Sequence, residues 1–196
     1  AKMLFMPDSP PWNKYRYYQD AAIRAAFEKI ILQIQRGEDP RVLLSLATGA
    51  GKTIIATNLL WRLNEAGQLP KPALFICDRD ELRTQAYEKL SAAFGDNVRI
   101  VKTEKGENAA KNARIHIATY QTLGLDDETP DDKVASFLTE HYPENAFSII
   151  IIDECHRSAW GKWSEVLKRN QKAIHLGLTA TPRKLITRKE LPAEEV

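Results

Sequence analysis

Only two cysteines, Cys77 and Cys155, occur among the 196 residues. They make no disulfide framework, and no Cys/His quartet with zinc-ligand spacing accompanies them. A reducing compartment follows. No apolar run reaches the roughly 18 residues that a membrane-spanning helix needs, and no secretory leader is visible. A cytoplasmic location and no membrane partner are therefore expected. An excess of one charge is also missing: a formal net charge of +2 singles out neither an acidic nor a basic partner. There are no internal repeats, which sets aside the solenoids. The opening at Ala1 and the charged close, "RKLITRKELPAEEV", predict a fragment of a longer chain.

What is present is a core and a rhythm. Hydrophobic residues make up 43% of the chain, ample for one large domain. Ile23, Phe27, Ile30 and Ile34 recur at a helical period, and Gly37 and Pro40 punctuate the end of that helix. "RVLLSLA" reads as a buried strand, and a helical pattern runs from Thr53 to about Leu63. "PALFICD" is a second buried strand, followed by a helix from about Asp80 to Phe94. "VRIV", "ARIHIAT", "FSIIIID" and "AIHLGLT" are further strands, with a helix near Trp163 to Gln171 before the last. Strands alternating with helices predict an open, mostly parallel α/β sheet. Continuous apolar strands predict helices on both faces. Two polar insertions break the pattern, "KTEKGENAAKN" and an acidic one over 125–145 with a short helix at Lys133 to Glu140.

In such a sheet ligands bind where strands end and helices begin. One junction reads "SLATGAGKTIIAT". Thr48, Gly49, Ala50 and Gly51 form a loop whose glycines let the backbone approach a ligand. The helix that follows offers its positive end, and together they make a phosphate cradle. Lys52 would reach the β- and γ-phosphates of ATP, and Thr53 would place its hydroxyl on Mg²⁺. Leu46 stands where the general pattern asks for glycine. A second junction, "IIIIDECH", ends a strand in two carboxylates. Beside a phosphate loop, Asp153 would hold Mg²⁺ and Glu154 would activate the attacking water. Lys52, Asp153 and Glu154 are thus the expected catalytic set.

Taken in order, these motifs resemble the first motor domain of a superfamily 2 helicase or translocase. "ATGAGKT" is similar to motif I of that superfamily, "DECH" to motif II and "LTATP" to motif III. "RYYQDAAI" resembles its adenine-recognition motif. The resemblance covers about residues 15–183 and implies a RecA-like P-loop fold. It implies that Gln19 reads the adenine edge and that His156, Thr179 and Thr181 couple nucleotide state to nucleic-acid contact. A capped loop histidine is the other reading of His156. "FICDRDELRTQAYEKL" and "IATYQTL" resemble motifs Ia and Ib of the restriction-enzyme motors, most closely the R subunit of type I enzymes. That resemblance implies an ATP-driven translocase on double-stranded DNA. It also implies methylation and specificity subunits as partners, a linker from a preceding domain over 1–14, and a charged linker over 184–196 toward a second motor domain. No Asp…Glu-x-Lys nuclease constellation is found. The alternatives are a DECH-type RNA helicase and a nucleotide-binding module without turnover.

Arg79, Thr119 and Gln121 fall where the family contacts the nucleic-acid backbone. Arg79 equally suits an ion pair with Asp78 or Glu81. Tyr17 suits packing on the adenine, whereas Tyr15 and Tyr18 suit scaffold as well. Trp160 and Trp163 read as core or interface. His116 and His175, inside apolar strands, read as satisfied core residues, and Cys155 suggests neither redox nor metal chemistry.

Overall fold

The computed structural model describes residues 16–102, 110, 112–123, 140–155 and 166–180. Their order is α1 (Tyr17–Gln35), β1 (Arg41–Ser45), α2 (Lys52–Glu65), β2 (Ala73–Cys77), α3 (Asp80–Phe94), β3 (Val98–Ile100), β4 (Ile115–Thr119), β5 (Ile149–Asp153) and β6 (Ile174–Thr179). The strands form one sheet in the order β1-β6-β5-β2-β4-β3. Every pairing is parallel. All strand C-termini therefore lie along one edge, and both expected junctions open there.

The alternation of side chains along a strand divides the core in two. Ala73, Phe75 and Cys77 of β2 share one face with Ile115, Ile117, Ile149, Ile151, Leu176 and Leu178. That face takes the three long helices through residues such as Phe27, Leu59 and Leu90. The opposite face, with Leu74, Ile76, Ile150 and Ile152, is covered by Tyr120, Tyr142, Phe147 and Val166. Val166 lies in a helical stretch described over 166–169. β2, β4 and β5 are buried along their whole length. Each fully buried isoleucine of β5 contributes about 2 kcal/mol over an exposed one.

One strand departs from expectation. "RVLLSLA" reads as buried, yet β1 is buried only at Val42, and Leu43 is 54% exposed. Its position explains the difference: among the described strands β1 pairs with β6 alone. The segments 1–14 and 184–196 lie outside the described residues, as do positions 133–139 of the short helix expected in the acidic insertion, and Tyr15, Trp160 and Trp163. Among the described residues no helix is long and apolar enough to cross a membrane.

Both buried histidines belong to the scaffold. His116 uses both ring nitrogens, Nδ1 with Tyr142 Oη at 3.0 Å and Nε2 with the Ala113 carbonyl at 3.0 Å. His175 Nε2 meets the Asn170 carbonyl at 2.9 Å, while its Nδ1 has no hydrogen-bond partner among the described residues. Burial pushes both below the usual histidine range, which keeps them neutral.

Candidate functional site

β1 passes into the glycine loop without losing its grip on the sheet. Leu46 N–H donates to the Thr179 carbonyl at 2.9 Å, and the Leu46 side chain packs against the core. The missing glycine of the general pattern is therefore a further step of the strand. Next, Ala50 N–H closes a turn on the Ala47 carbonyl at 3.1 Å. Gly49 at φ 79° and Gly51 at φ 83° take the left-handed conformation that side chains oppose, and α2 begins at Lys52. Thr48 and Gly49 are exposed, while Lys52 and Thr53 are half-buried.

α1 leans on this loop from outside. Gln19 Nε2 donates to the Ala50 carbonyl at 3.1 Å, and Tyr18 Oη donates to the same oxygen at 3.3 Å. A Cβ on Gly51 would stand 2.7 Å from Gln19 Nε2, so Gly51 admits the glutamine as well as the turn. Tyr17 is 87% exposed beside it.

β5 brings the carboxylates to the loop. Glu154 Oε1 lies 2.7 Å from Lys52 Nζ. Glu154 itself adopts φ 52°, a left-handed conformation that costs a non-glycine residue about 1–3 kcal/mol and gathers at functional sites. The peptide before it is held at both ends. Its N–H donates to Asp153 Oδ1 at 3.0 Å, and its carbonyl accepts from Tyr120 Oη at 2.8 Å. Asp153 is buried, and its carboxyl is pushed above the ordinary range, first by burial and then by the Glu154 charge, against the pull of Lys52. A cation placed there would relieve that cost. A lysine, a helix N-terminus, a glycine loop and a buried carboxylate thus meet at one point. This donor set fits a nucleotide phosphate chain with a divalent cation. Burial pushes the Cys155 thiol up, away from the thiolate form, and a Cβ on Gly177 would stand 3.1 Å from its Sγ.

The neighbouring strand ends form a second group. Cys77 and Thr119 are register partners of β2 and β4, and Arg79 and Gln121 each follow two residues beyond these neighbouring strand ends. Both are exposed. Arg79 Nε pairs loosely with Asp78 Oδ2 at 3.4 Å. Thr119 differs from them. It is buried, and its hydroxyl accepts from Thr122 N–H at 3.2 Å and lies 2.9 Å from Thr122 Oγ1. That hydroxyl shapes the turn rather than facing outward. Thr179 is buried at the end of β6, and its carbonyl accepts from Leu46 N–H, where β1 leads toward the glycine loop. His156 and Thr181 lie outside the described residues.

Two features escape a reading of the sequence. Tyr120 sits within "IATYQTL" between two residues singled out there, and nothing in the string shows that its hydroxyl crosses β2 to reach β5. Arg62 is 1% exposed inside α2. Its Nη2 meets Asp20 Oδ1 at 3.1 Å and its Nε meets Asn58 Oδ1 at 2.8 Å. This contact pins the first turn of α1, next to Gln19.

A parallel sheet with a glycine loop after β1 and adjacent carboxylates after β5 defines a RecA-like P-loop domain. Residues 13–184 match the family model described as "Type III restriction enzyme, res subunit", and the chain belongs to that family. It is 35% identical over 171 residues to the type I restriction enzyme EcoAI endonuclease subunit of Escherichia coli, a match covering 86% of this chain. The match spans 19% of that relative's length. Among solved structures, the UvsW helicase of bacteriophage T4 superposes with a TM-score of 0.65 at 20% identity, covering 93% of this chain and 59% of that one. The SWI2/SNF2 ATPase core of Sulfolobus solfataricus, solved with double-stranded DNA, gives 0.62 at 19% identity, covering 91% and 34%. At such identities the structures show the shared fold.

Proposed function

We propose that residues 15–183 are the first motor domain of an ATP-driven translocase on double-stranded DNA, of the kind found in the R subunit of type I restriction enzymes. The Lys52–Glu154 contact at 2.7 Å carries the reading, because it joins the loop and the strand end into one site. The loop N–H groups and Lys52 would hold the ATP phosphates. Thr53 and Asp153 would hold Mg²⁺, which supplies charge neutralisation at the phosphates when bound. Glu154 would exchange its pairing with Lys52 for a water molecule and take that water's proton. Gln19, whose amide donates to the loop at Ala50, would read the adenine edge. Arg79 and Gln121 would meet the DNA backbone, and Thr179, His156 and Thr181 would link the two functions. In this reading 1–14 and 184–196 connect to other parts of the machine, including a second motor domain. Methylation and specificity subunits are its partners, and the cytoplasm is its compartment.

The test is ATP turnover by the intact protein with double-stranded DNA, single-stranded DNA or RNA, joined to displacement of a third strand from a DNA triplex. Stimulation by duplex DNA together with third-strand displacement is expected. Stimulation by RNA alone would make it an RNA helicase. Tight ATP binding without turnover under any condition would make it a regulatory module.

A further inference from the structure

We infer that Tyr120 is a positioning residue that couples the nucleic-acid track to the catalytic carboxylates, through its hydrogen bond to the peptide that aims Glu154. The inference rests on the motor reading above and extends it to a residue outside its motif roles.

The turn after β4 is a braced unit. Tyr120 N–H donates to the Cys77 carbonyl at 3.3 Å, and Leu123 N–H donates to the Thr119 carbonyl at 3.2 Å. The Thr119 hydroxyl accepts from Thr122 N–H at 3.2 Å. Gln121 rides on the exposed side of this unit, while Tyr120 is 6% exposed on its inner side. A load on Gln121 is therefore carried to Tyr120 by a short, internally bonded turn. In the sheet order β5-β2-β4, the Tyr120 side chain passes over β2 and places its hydroxyl 2.8 Å from the Asp153 carbonyl.

That carbonyl belongs to a critical peptide unit. Its other end, the Glu154 N–H, is tied to Asp153 Oδ1, and the next residue sits at φ 52° with its carboxylate on Lys52. Rotation of this single peptide re-aims Glu154 and moves the Asp153 carboxylate together. A strained conformation is held only by its surroundings, and Tyr120 supplies the contact that comes from the track. Two sites that bias one element are coupled, and for binding the coupling is reciprocal.

The experiment is a thermodynamic cycle on the intact protein. The dissociation constant for a DNA duplex is measured with and without a non-hydrolysable ATP analogue and Mg²⁺, for wild type, Tyr120→Phe and Thr122→Val. The Phe variant keeps the buried ring and loses only the hydroxyl. The Val variant loosens the turn from its other end and keeps the tyrosine. The coupling factor is expected to shrink by about two- to tenfold in Tyr120→Phe, the range one net hydrogen bond supplies, and by less in Thr122→Val. The fold-stimulation of ATPase by DNA should fall in the same order. Coupling unchanged in both variants overturns the inference. So does an equal loss of DNA affinity with and without the analogue, which marks a purely structural role. A wild-type protein whose DNA affinity ignores the analogue overturns the motor reading itself, a result distinct from either.

Discussion

The two halves of the sheet's C-terminal edge are built differently. Over β1, β6 and β5 the polar groups are gathered and committed. Lys52 holds Glu154 at 2.7 Å, Gln19 holds Ala50, and Leu46 holds Thr179. Over β2 and β4 the outward groups are exposed, and Arg79 is paired only loosely at 3.4 Å. In the proposed function the first half would meet a small charged ligand at fixed points. The second would present solvated donors to a polymer whose phosphates are met by charge more than by shape. Preorganisation and openness therefore divide along β5, the strand that ends at Asp153 just before Glu154 and borders both halves.

The contrast is tested most severely by Lys52→Ala. Loss of the cation should abolish ATP binding at millimolar concentrations and turnover with it, since the charge meets the phosphates in ground and transition states alike. Equilibrium binding of a fluorescent ATP analogue checks this. Retained binding would remove the organised half's defining contact.

Next in size is Arg62→Met. It removes the buried partner on one Asp20 oxygen and leaves Asp20 its pairing with Arg24 at 2.6 Å, which costs about 2 kcal/mol of stability. Chemical denaturation reads that loss, and the paired variant Arg62→Met/Asp20→Asn should recover part of it. If the double variant is as unstable as the single ones added together, the pair is not coupled.

The acid limb comes third and treats the halves alike. His116 in β4 and His175 in β6 are both held below the usual histidine range by burial. The unfolded chain therefore binds protons first as pH falls. Stability is fullest above the ordinary histidine value of 6.5 and is lost as pH drops below it. His175→Met should flatten that loss in thermal scans between about pH 7 and pH 5. An unchanged acid slope in the variant would show that His175 does not contribute.

The smallest effect belongs to the open half. Arg79→Ala should change stability by less than about 0.5 kcal/mol, as exposed ion pairs contribute little. It should lower the slope of log DNA affinity against log salt by about one. An unchanged slope would assign Arg79 to its pairing with Asp78.

How far the sequence reveals this division differs between the halves too. The organised half is legible because phosphate binding constrains the backbone: glycines must stand where φ turns positive, and a lysine must follow. The strands β2, β4 and β5 are legible because burial on both faces leaves runs such as Ile149 to Ile152. β1 misleads because its leucines suit an interior strand, and its place at the edge of the described sheet is set by chain topology. Thr119 shows a different limit. Position after a strand is visible in a string of residues, but the direction of a hydroxyl is not, and here it turns inward to Thr122. Tyr120 and Arg62 are tertiary facts, since their partners lie 33 and 42 residues away.

Everything proposed for the organised half turns on Glu154, held on Lys52 and aimed by a strained peptide, being the base of an ATP-hydrolysing site. Single-turnover hydrolysis by Glu154→Gln in the intact protein, with ATP–Mg²⁺ affinity measured alongside, tests it most directly. Glutamine keeps the size and much of the hydrogen bonding of the side chain but cannot take a proton. Near wild-type affinity is expected, with hydrolysis slower by about 10²–10⁴, the usual share of a general base. Hydrolysis by the variant at the wild-type rate would contradict that role and leave Glu154 as no more than a partner for Lys52.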